Sequence, residues 1–468
     1  MGIQFGTDGW RGLIADDFTF DNVAKVAQAT ANYFKKQKKI QRGIIVGYDA
    51  RFLSREFAEK TAEVLGNAGM RVKLASSIVT TPMVSLAIKK LKTAGGVIIT
   101  ASHNPAQYNG FKIRGDFAGP AYPEQIAVVE RELAKGLREK NHKLRKSLSQ
   151  LLEDGSVEKL DLDKIYLNDI KTKVDLEAIR RSGLRILYDA MYGAGQGVLQ
   201  RLVPNISTLH NEFNPSFGGI RPEPMAENLI NLTKEVRKGK FDIGLATDGD
   251  ADRVGAVDEK GNFVDSHRMF ALLLKYFVEV KHLRGEVAKS LSVTQMINKM
   301  CEKYGLTLHE TPVGFKYLCK LMVERDILIA GEESGGIGIR GHVPERDGIL
   351  VGLLLCEIMV TRKKSLSALV EELLDEYGKH YFGRIDLRIT EREKQRIMKK
   401  FNKSIGEISG EKVVRVQDTD GYQYFVDSGW LLVRPSGTEP LIRFYAEANR
   451  ENKMRKLLEF ATEVKGTR

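Results

Sequence analysis

Asp248, Asp250 and Asp252 alternate with Gly249 and Ala251, precede Arg253, and close the apolar run FDIGLAT. In an extended chain residues i, i+2 and i+4 point to one side, so the three carboxylates face one point. Like charges that close repel strongly unless a cation neutralises them. Hard oxygen ligands favour Mg²⁺, which keeps its other positions for water or phosphate. Arg253 adds a fixed positive charge suited to phosphate oxygens. A solvated acidic turn would share this spacing. The glycine and glutamate positions of an EF-hand loop are absent.

Three further segments carry chemistry-bearing types. Thr100-Ala101-Ser102-His103-Asn104-Pro105 ends the run GGVIIT, where a turn can expose the Ser102 hydroxyl. Proline drives Asn104 away from helical geometry. On its own a lone Ser-His pair reads first as a capping or turn serine, and the G-x-S-x-G of acyl transfer is missing. Nearby, Tyr108 to Lys112 form a turn that returns Lys112 towards the same loop. Gly331 to Gly338, GEESGGIG, places Glu332, Glu333 and Ser334 in a glycine-rich turn. Such groups can bond sugar hydroxyls, or form a plain acidic turn. Arg434-Pro435-Ser436-Gly437-Thr438-Glu439-Pro440, with Arg443 beyond, has the parts of an anion nest or of an ordinary hairpin. FGTDGWRG near the start and YGAGQG at 192–197 are glycine-rich but fit neither a dinucleotide fingerprint nor a P-loop.

These segments need elements to hold them. Strand-like runs recur at 43–49, 95–100, 184–190, 241–247 and 326–333, each followed by a polar or glycine-rich loop. Helix-period segments lie between, including Asp21 to Phe34, with Asp21 as a possible cap, and Asp347 to Val360. Alternation of this kind predicts α/β layers with a parallel or mixed sheet, whose ligands gather at the carboxyl ends of strands. From Tyr381 onward, short alternating strands and two helical stretches predict a smaller antiparallel α+β module. The chain is expected to divide at about residues 150, 260 and 375, into spans 1–150, 151–259, 260–375 and 376–468.

Composition narrows the function. The 468 residues carry a net charge of +12. The excess sits in runs such as Arg131 to Lys146 and Arg388 to Lys403, which lack the interleaved aromatics of a base-stacking surface. No nucleic-acid partner is therefore expected, while small anions stay open. No apolar stretch reaches the ~20 residues of a membrane span, and the start MGIQFGTDGWRG has no basic and apolar regions of a leader, so no signal peptide is expected. Cys301, Cys319 and Cys356 form no CxxC, so a reducing cytoplasm is expected. Of the eight histidines only His103 falls in a main segment; the others are expected at the surface or at helix ends.

Taken in order, FGTDGWRG, TASHNP, DGDADR, TPVGFK, GEESGG and RPSGTEP resemble the ordered loops of the α-D-phosphohexomutase superfamily across essentially the whole chain. The resemblance implies three related α/β domains and a smaller C-terminal α+β domain around a central cleft. It implies a cytoplasmic isomerase, monomeric or homodimeric, acting on hexose phosphates. Ser102 would carry a phosphoryl group, and Mg²⁺ would be held by Asp248, Asp250 and Asp252 with an oxygen on Ser102. Transfer through glucose 1,6-bisphosphate would interconvert the 1-phosphate and the 6-phosphate. Arg11 would stabilise the transferring group and Arg253 would orient the sugar. His103 and Lys112 are the acid/base candidates, with Lys112 favoured. Glu332 and Ser334 would bind sugar hydroxyls. Arg434, Ser436, Gly437 and Thr438 would hold the idle phosphate, with Lys316 and Arg443 adding contacts. Mannose-tolerant members and phosphoglucosamine mutases often carry a histidine where this chain has Gly336. That favours glucose over mannose or glucosamine. A Mg²⁺-dependent sugar phosphatase is the competing enzyme class, and it leaves RPSGTEP without a role.

Overall fold

The structure is a computed structural model of the chain and describes residues 3–136, 144–436 and 441–463. Runs such as Ile44–Tyr48, Gly95–Ile99, Ile243–Thr247 and Ile327–Gly331 are buried at every position. Strands covered on both faces by helices read this way, as near-continuous apolar runs.

The first sheet runs in the order Trp10–Leu13, Tyr108–Gly115, Gly95–Ile99, Ile44–Tyr48, Val72–Ala75, Val157–Leu160. The second runs Phe263–Val264, Val254–Asp258, Ile243–Thr247, Ile186–Asp189, Ser207–Leu209. The third runs Leu308–Thr311, Glu286–Ser290, Ile327–Gly331, Ile337–Ile339. In each, a parallel block ends at one strand whose chain then turns back into an antiparallel neighbour. That turn is the TASHNP loop in the first sheet, DGDADR in the second and GEESGG in the third. Three domains thus present their chemistry-bearing loop at the same topological position, the carboxyl end of the last parallel strand.

The fourth sheet is antiparallel throughout, from Tyr381–Arg388 to Glu407–Ile408, and carries helices Glu391–Lys400 and Glu451–Glu463. It has its own apolar core, including Ile397, Phe401, Phe444 and Leu457. Leu291 of the third domain packs with Phe425, Trp430, Leu432 and Tyr445 to seat it.

Local details depart from the sequence reading. Helix Phe20–Lys36 is capped by Thr19, whose hydroxyl accepts from the Asn22 amide, and Asp21 lies in the first turn instead. Strand Val157–Leu160 pairs with Val72–Ala75, so the first sheet extends past residue 150. Its two outward-facing charges hide an edge strand from an apolar-run search. The span 137–143, inside one basic run, lies outside the described residues.

His342 is buried in a turn, against the expectation of a surface or helix-end position, while buried His267 does lie in the first turn of helix Ser266–Lys275. His342 bridges Asp169 (Nδ1 to Oδ2, 3.3 Å) and Asp347 (Nε2 to Oδ2, 2.9 Å). Asp347 also caps helix Gly348–Arg362 and accepts from Tyr166. Burial opposes the imidazolium, but the two carboxylates outweigh it and raise the His342 pKa. The bond to His342 holds Asp169 below the usual carboxylate range. The His342 contribution is therefore complete below its unfolded pKa of ~6.5 and fades as pH rises through the folded value. The Asp169 contribution is lost only as pH falls through its depressed value. His342→Gln is expected to lower the melting temperature more at pH 6 than at pH 9. An equal loss at both would contradict a charged bridge.

Candidate active site

The Ser102 loop is held by a buried arginine that the sequence reading passed over. Arg51 donates to four carbonyls, those of Ser102 (2.5 Å), Asn104 (2.6 Å), Pro105 (2.9 Å) and Tyr108 (3.1 Å). Its guanidinium lies 4.8 Å from the Phe217 ring centroid and pairs with buried Asp49 at 3.2 Å. Under this clamp Ser102 keeps a left-handed φ of 53°. For a residue with a Cβ that costs about 1–3 kcal/mol, and such strain gathers at functional sites.

The clamp brings two domains together. Ser102 Oγ donates to Asp248 Oδ2 at 2.9 Å and lies 3.5 Å from His103 Nδ1. Gly249 packs so closely on the Ser102 carbonyl that a side chain there would collide with it. Asp248, Asp250 and Asp252 are fully buried, and one oxygen from each lies within 4.8 Å of the others. Burial, then repulsion from Asp250 and Asp252, pushes the Asp248 pKa well up.

Lys112 Nζ sits among these acids, 2.7 Å from Asp250, 3.1 Å from Asp8 and 3.5 Å from Asp252. Burial opposes its charge, but Asp250, Asp8 and Asp252 outweigh that and raise its pKa. Arg346, from the segment before Asp347, adds a second cation. It lies 2.6 Å from Asp252, 3.0 Å from Asp8 and 3.5 Å from Glu332. Two aspartate oxygens, Asp250 Oδ1 and Asp252 Oδ1, are nevertheless buried with no hydrogen-bond donor. Orphaned hard oxygens of this kind fit a small divalent cation.

The remaining sequence candidates fall around this cluster. Arg11 donates to Asn104 Oδ1 at 2.6 Å. His103 is held well below its ordinary pKa, by burial first and then by Arg253 and Arg11. Arg253 is buried 3.4 Å from Glu223 and donates its amide to Asp248. Glu332 is buried and its pKa is raised to about 7, mainly by burial, with Arg346 pulling the other way. Ser334 is half-buried beside it, whereas Glu333 is occupied by Ser292 at 2.5 Å. The TPVGFK turn reaches the first domain, since Gly314 lies against Thr7.

That turn also reaches the fourth domain. Asp420 Oδ2 accepts from the Val313 amide (2.9 Å) and from Arg434 Nε (2.6 Å). Arg434 and half-buried Lys316 thus border the same space, and burial lowers the Lys316 pKa. Arg443 lies 3.5 Å from Asp386, and Ser436 accepts from Lys394 at its carbonyl. Gly437 and Thr438 lie outside the described residues. Sequence reasoning missed Asp8, Asp49, Arg51, Arg114, Glu345 and Arg346. Two signals were available: Asp8 lies within FGTDGWRG, and Asp49-Ala50-Arg51 follows a strand end like the other loops.

Family models for phosphoglucomutase/phosphomannomutase α/β/α domains I, II and III match residues 2–140, 164–261 and 265–377. The C-terminal domain model of the same family matches 385–464. The chain belongs to the phosphoglucomutase/phosphomannomutase family. It is therefore a phosphohexomutase of the α-D-phosphohexomutase superfamily, an isomerase that moves a phosphate within a sugar phosphate. A phosphoglucomutase/phosphomannomutase from Thermococcus kodakarensis is 30% identical, over 99% of this chain and 98% of its own. A phosphoglucosamine mutase from Carboxydothermus hydrogenoformans is 32% identical, over 96% and 95%. The crystal structure of a candidate phosphomannomutase from Thermus thermophilus matches with a TM-score of 0.87 at 32% identity, covering 100% of both chains. No helix among the described residues is long and apolar enough to cross a membrane.

Proposed function

We propose that the protein interconverts glucose 1-phosphate and glucose 6-phosphate through a phosphoserine at Ser102 and a glucose 1,6-bisphosphate that turns over inside the cleft. The observation carrying this reading is Ser102 Oγ, 2.9 Å from Asp248 in a buried cluster that also holds Lys112 and Arg346. Phosphoryl transfer is mostly positioning and charge neutralisation, and this arrangement provides both.

In the first half-reaction the P–O bond at Ser102 Oγ breaks, the serine oxygen keeping the bonding pair and taking a proton, and a bond from phosphorus to the free sugar hydroxyl oxygen forms. That hydroxyl gives up its proton to a base. The second half-reaction reverses these events with the other phosphate. Buried Lys112 and half-buried His103 are the two groups placed to hold that proton, and Arg11 faces the loop through Asn104. Mg²⁺ held by Asp248, Asp250 and Asp252 with an oxygen on Ser102 would supply charge neutralisation at the transferring group. Arg253, Glu332 and Ser334 would orient the sugar. Arg434, Ser436, Gly437, Thr438, Lys316 and Arg443 would hold the idle phosphate.

Gly336 supports glucose as the preferred hexose. A Cβ there would overlap the Arg346 side chain, which already reaches Asp252, Asp8 and Glu332. The sugar loop therefore offers no side chain at this position. A glucosamine or mannose reading is favoured instead by the names of the relatives. Rates on glucose, mannose and glucosamine 1-phosphates, with catalytic hexose 1,6-bisphosphate, separate these. Glucose 1-phosphate is expected to give the highest kcat/KM. A higher value on glucosamine 1-phosphate would replace the glucose assignment.

A further inference from the structure

A cavity of about 410 Å³ opens between the first and third domains, away from the catalytic cluster. Its volume falls in the ~300–1,000 Å³ range of small-molecule sites. It lies at the far ends of the strands that carry the catalytic loops. Thr93 precedes Gly95–Ile99, which leads to Ser102, and Ile327 begins the strand that leads to Glu332. At ~3.3 Å per residue a five-residue strand separates the two ends by roughly 16 Å.

The walls are cationic. Arg42, Lys89 and Lys92 line the cavity from the first domain, Arg325 and Arg340 from the third, against one lining acid, Asp116. Asp326 neutralises Arg340 through two contacts, at 2.7 and 2.8 Å. The other four are under-compensated. Arg42 shares Asp116 with Lys39. Arg325 lies 3.6 Å from Glu286, which already pairs with His309 at 2.7 Å. Lys89 donates to the His342 carbonyl rather than to a carboxylate. The Lys92 side chain has no hydrogen-bond or ion-pair partner among the described residues, its backbone N–H alone donating to the Ile88 carbonyl. A helix C-terminus attracts cations, and this accounts for lysines at the end of Thr81–Leu91. It does not account for Arg42 and Arg325, which arrive on separate elements.

The floor is apolar. Phe117 stacks on Tyr122 with centroids 4.4 Å apart, and Met322, Ile339 and Val343 continue the surface. Cations above an apolar floor suit a ligand with two unlike parts.

We propose that this interdomain cavity binds a small molecule bearing at least two phosphate groups on a ring-containing body, the chemistry a nucleoside diphosphate offers. The phosphates meet Arg42, Lys89, Lys92 and Arg325, and the ring lies on Phe117 and Met322. Because the cations come from both domains, the ligand ties the base of the serine-bearing sheet to that of the sugar-loop sheet.

The test is calorimetric titration of the full chain with ADP, without divalent cation and with saturating hexose phosphate filling the catalytic site. One ADP per chain is expected. The double variant Lys92→Glu/Arg325→Glu should weaken binding by about tenfold or more. Both side chains are exposed, so its melting temperature and its kcat/KM on hexose phosphate should stay close to wild type. Inorganic pyrophosphate should bind more weakly than ADP. No heat at millimolar ADP, undiminished affinity in the double variant, or pyrophosphate binding as tightly as ADP would each overturn the proposal.

Discussion

Ser102→Ala is expected to lose turnover by on the order of 10⁴-fold or more, in line with removal of a covalent nucleophile elsewhere. The substitution deletes the oxygen that accepts the phosphoryl group and leaves the rest of the site standing. Arg51 grips the carbonyls of this loop, not its side chains, so the backbone should hold. Alanine meets the same strain at φ 53° as serine does. The structural cost is one buried hydrogen bond, from Ser102 Oγ to Asp248, worth about 1–3 kcal/mol. Melting temperature should therefore drop by a few degrees at most while activity vanishes. Intact-mass spectrometry should find a phosphoryl increment on wild-type protein incubated with hexose 1,6-bisphosphate, and none on the variant. A variant that turns over at the wild-type rate would remove Ser102 from the chemistry.

The loops were legible in the sequence because each sits where a buried apolar strand stops. Ile243–Thr247 is apolar up to Asp248, and Gly95–Ile99 up to Thr100, so the change of character marks a strand end. The four-domain architecture followed from the same alternation. What a linear reading could not supply was the partner of each charge. Asp8 lies 338 residues from Arg346, and Arg114 pairs with Glu345 from a turn of the third domain. Nothing near Arg346 or Arg114 in the chain distinguishes them from surface arginines. His342 was misjudged for the same reason: its burial depends on Asp169 and Asp347, which reach it from another domain and from a helix cap. Edge strand Val157–Leu160 was missed because an edge needs only one apolar face.

Charge placement gives the site its logic. Lys112 rises from the middle of a strand in the first sheet, and the aspartates end a strand in the second. Arg346 precedes a helix of the third domain, so three domains contribute to one electrostatic balance. No single domain could bury its share alone. Asp250 and Asp252 without Lys112 and Arg346 would be unpaired buried charges, which are strongly destabilising. The cluster thus acts as a registry device as well as a reaction centre. Asp420 plays a comparable part for the fourth domain, joining the Val313 amide to Arg434.

Chelation is expected to abolish turnover, and Mg²⁺ to restore it. Within 4.8 Å of one another and at an effective dielectric near 20, two ionised aspartates of the triad repel by at least about 3 kcal/mol. Lys112 and Arg346 relieve part of this, yet Asp250 Oδ1 and Asp252 Oδ1 keep no donor. A cation that binds the folded chain at a hundred times its Kd adds about 2.7 kcal/mol of stability. Mg²⁺ should therefore raise the melting temperature of the EDTA-treated protein, and do so in Ser102→Ala as well, because the three carboxylates remain. Asp250→Asn should lose both the thermal response and the activity. The thermal readout keeps metal binding apart from catalysis. Activity indifferent to EDTA, together with a melting temperature that Mg²⁺ does not move, would leave the triad as a structural acid cluster balanced by Lys112 and Arg346 alone.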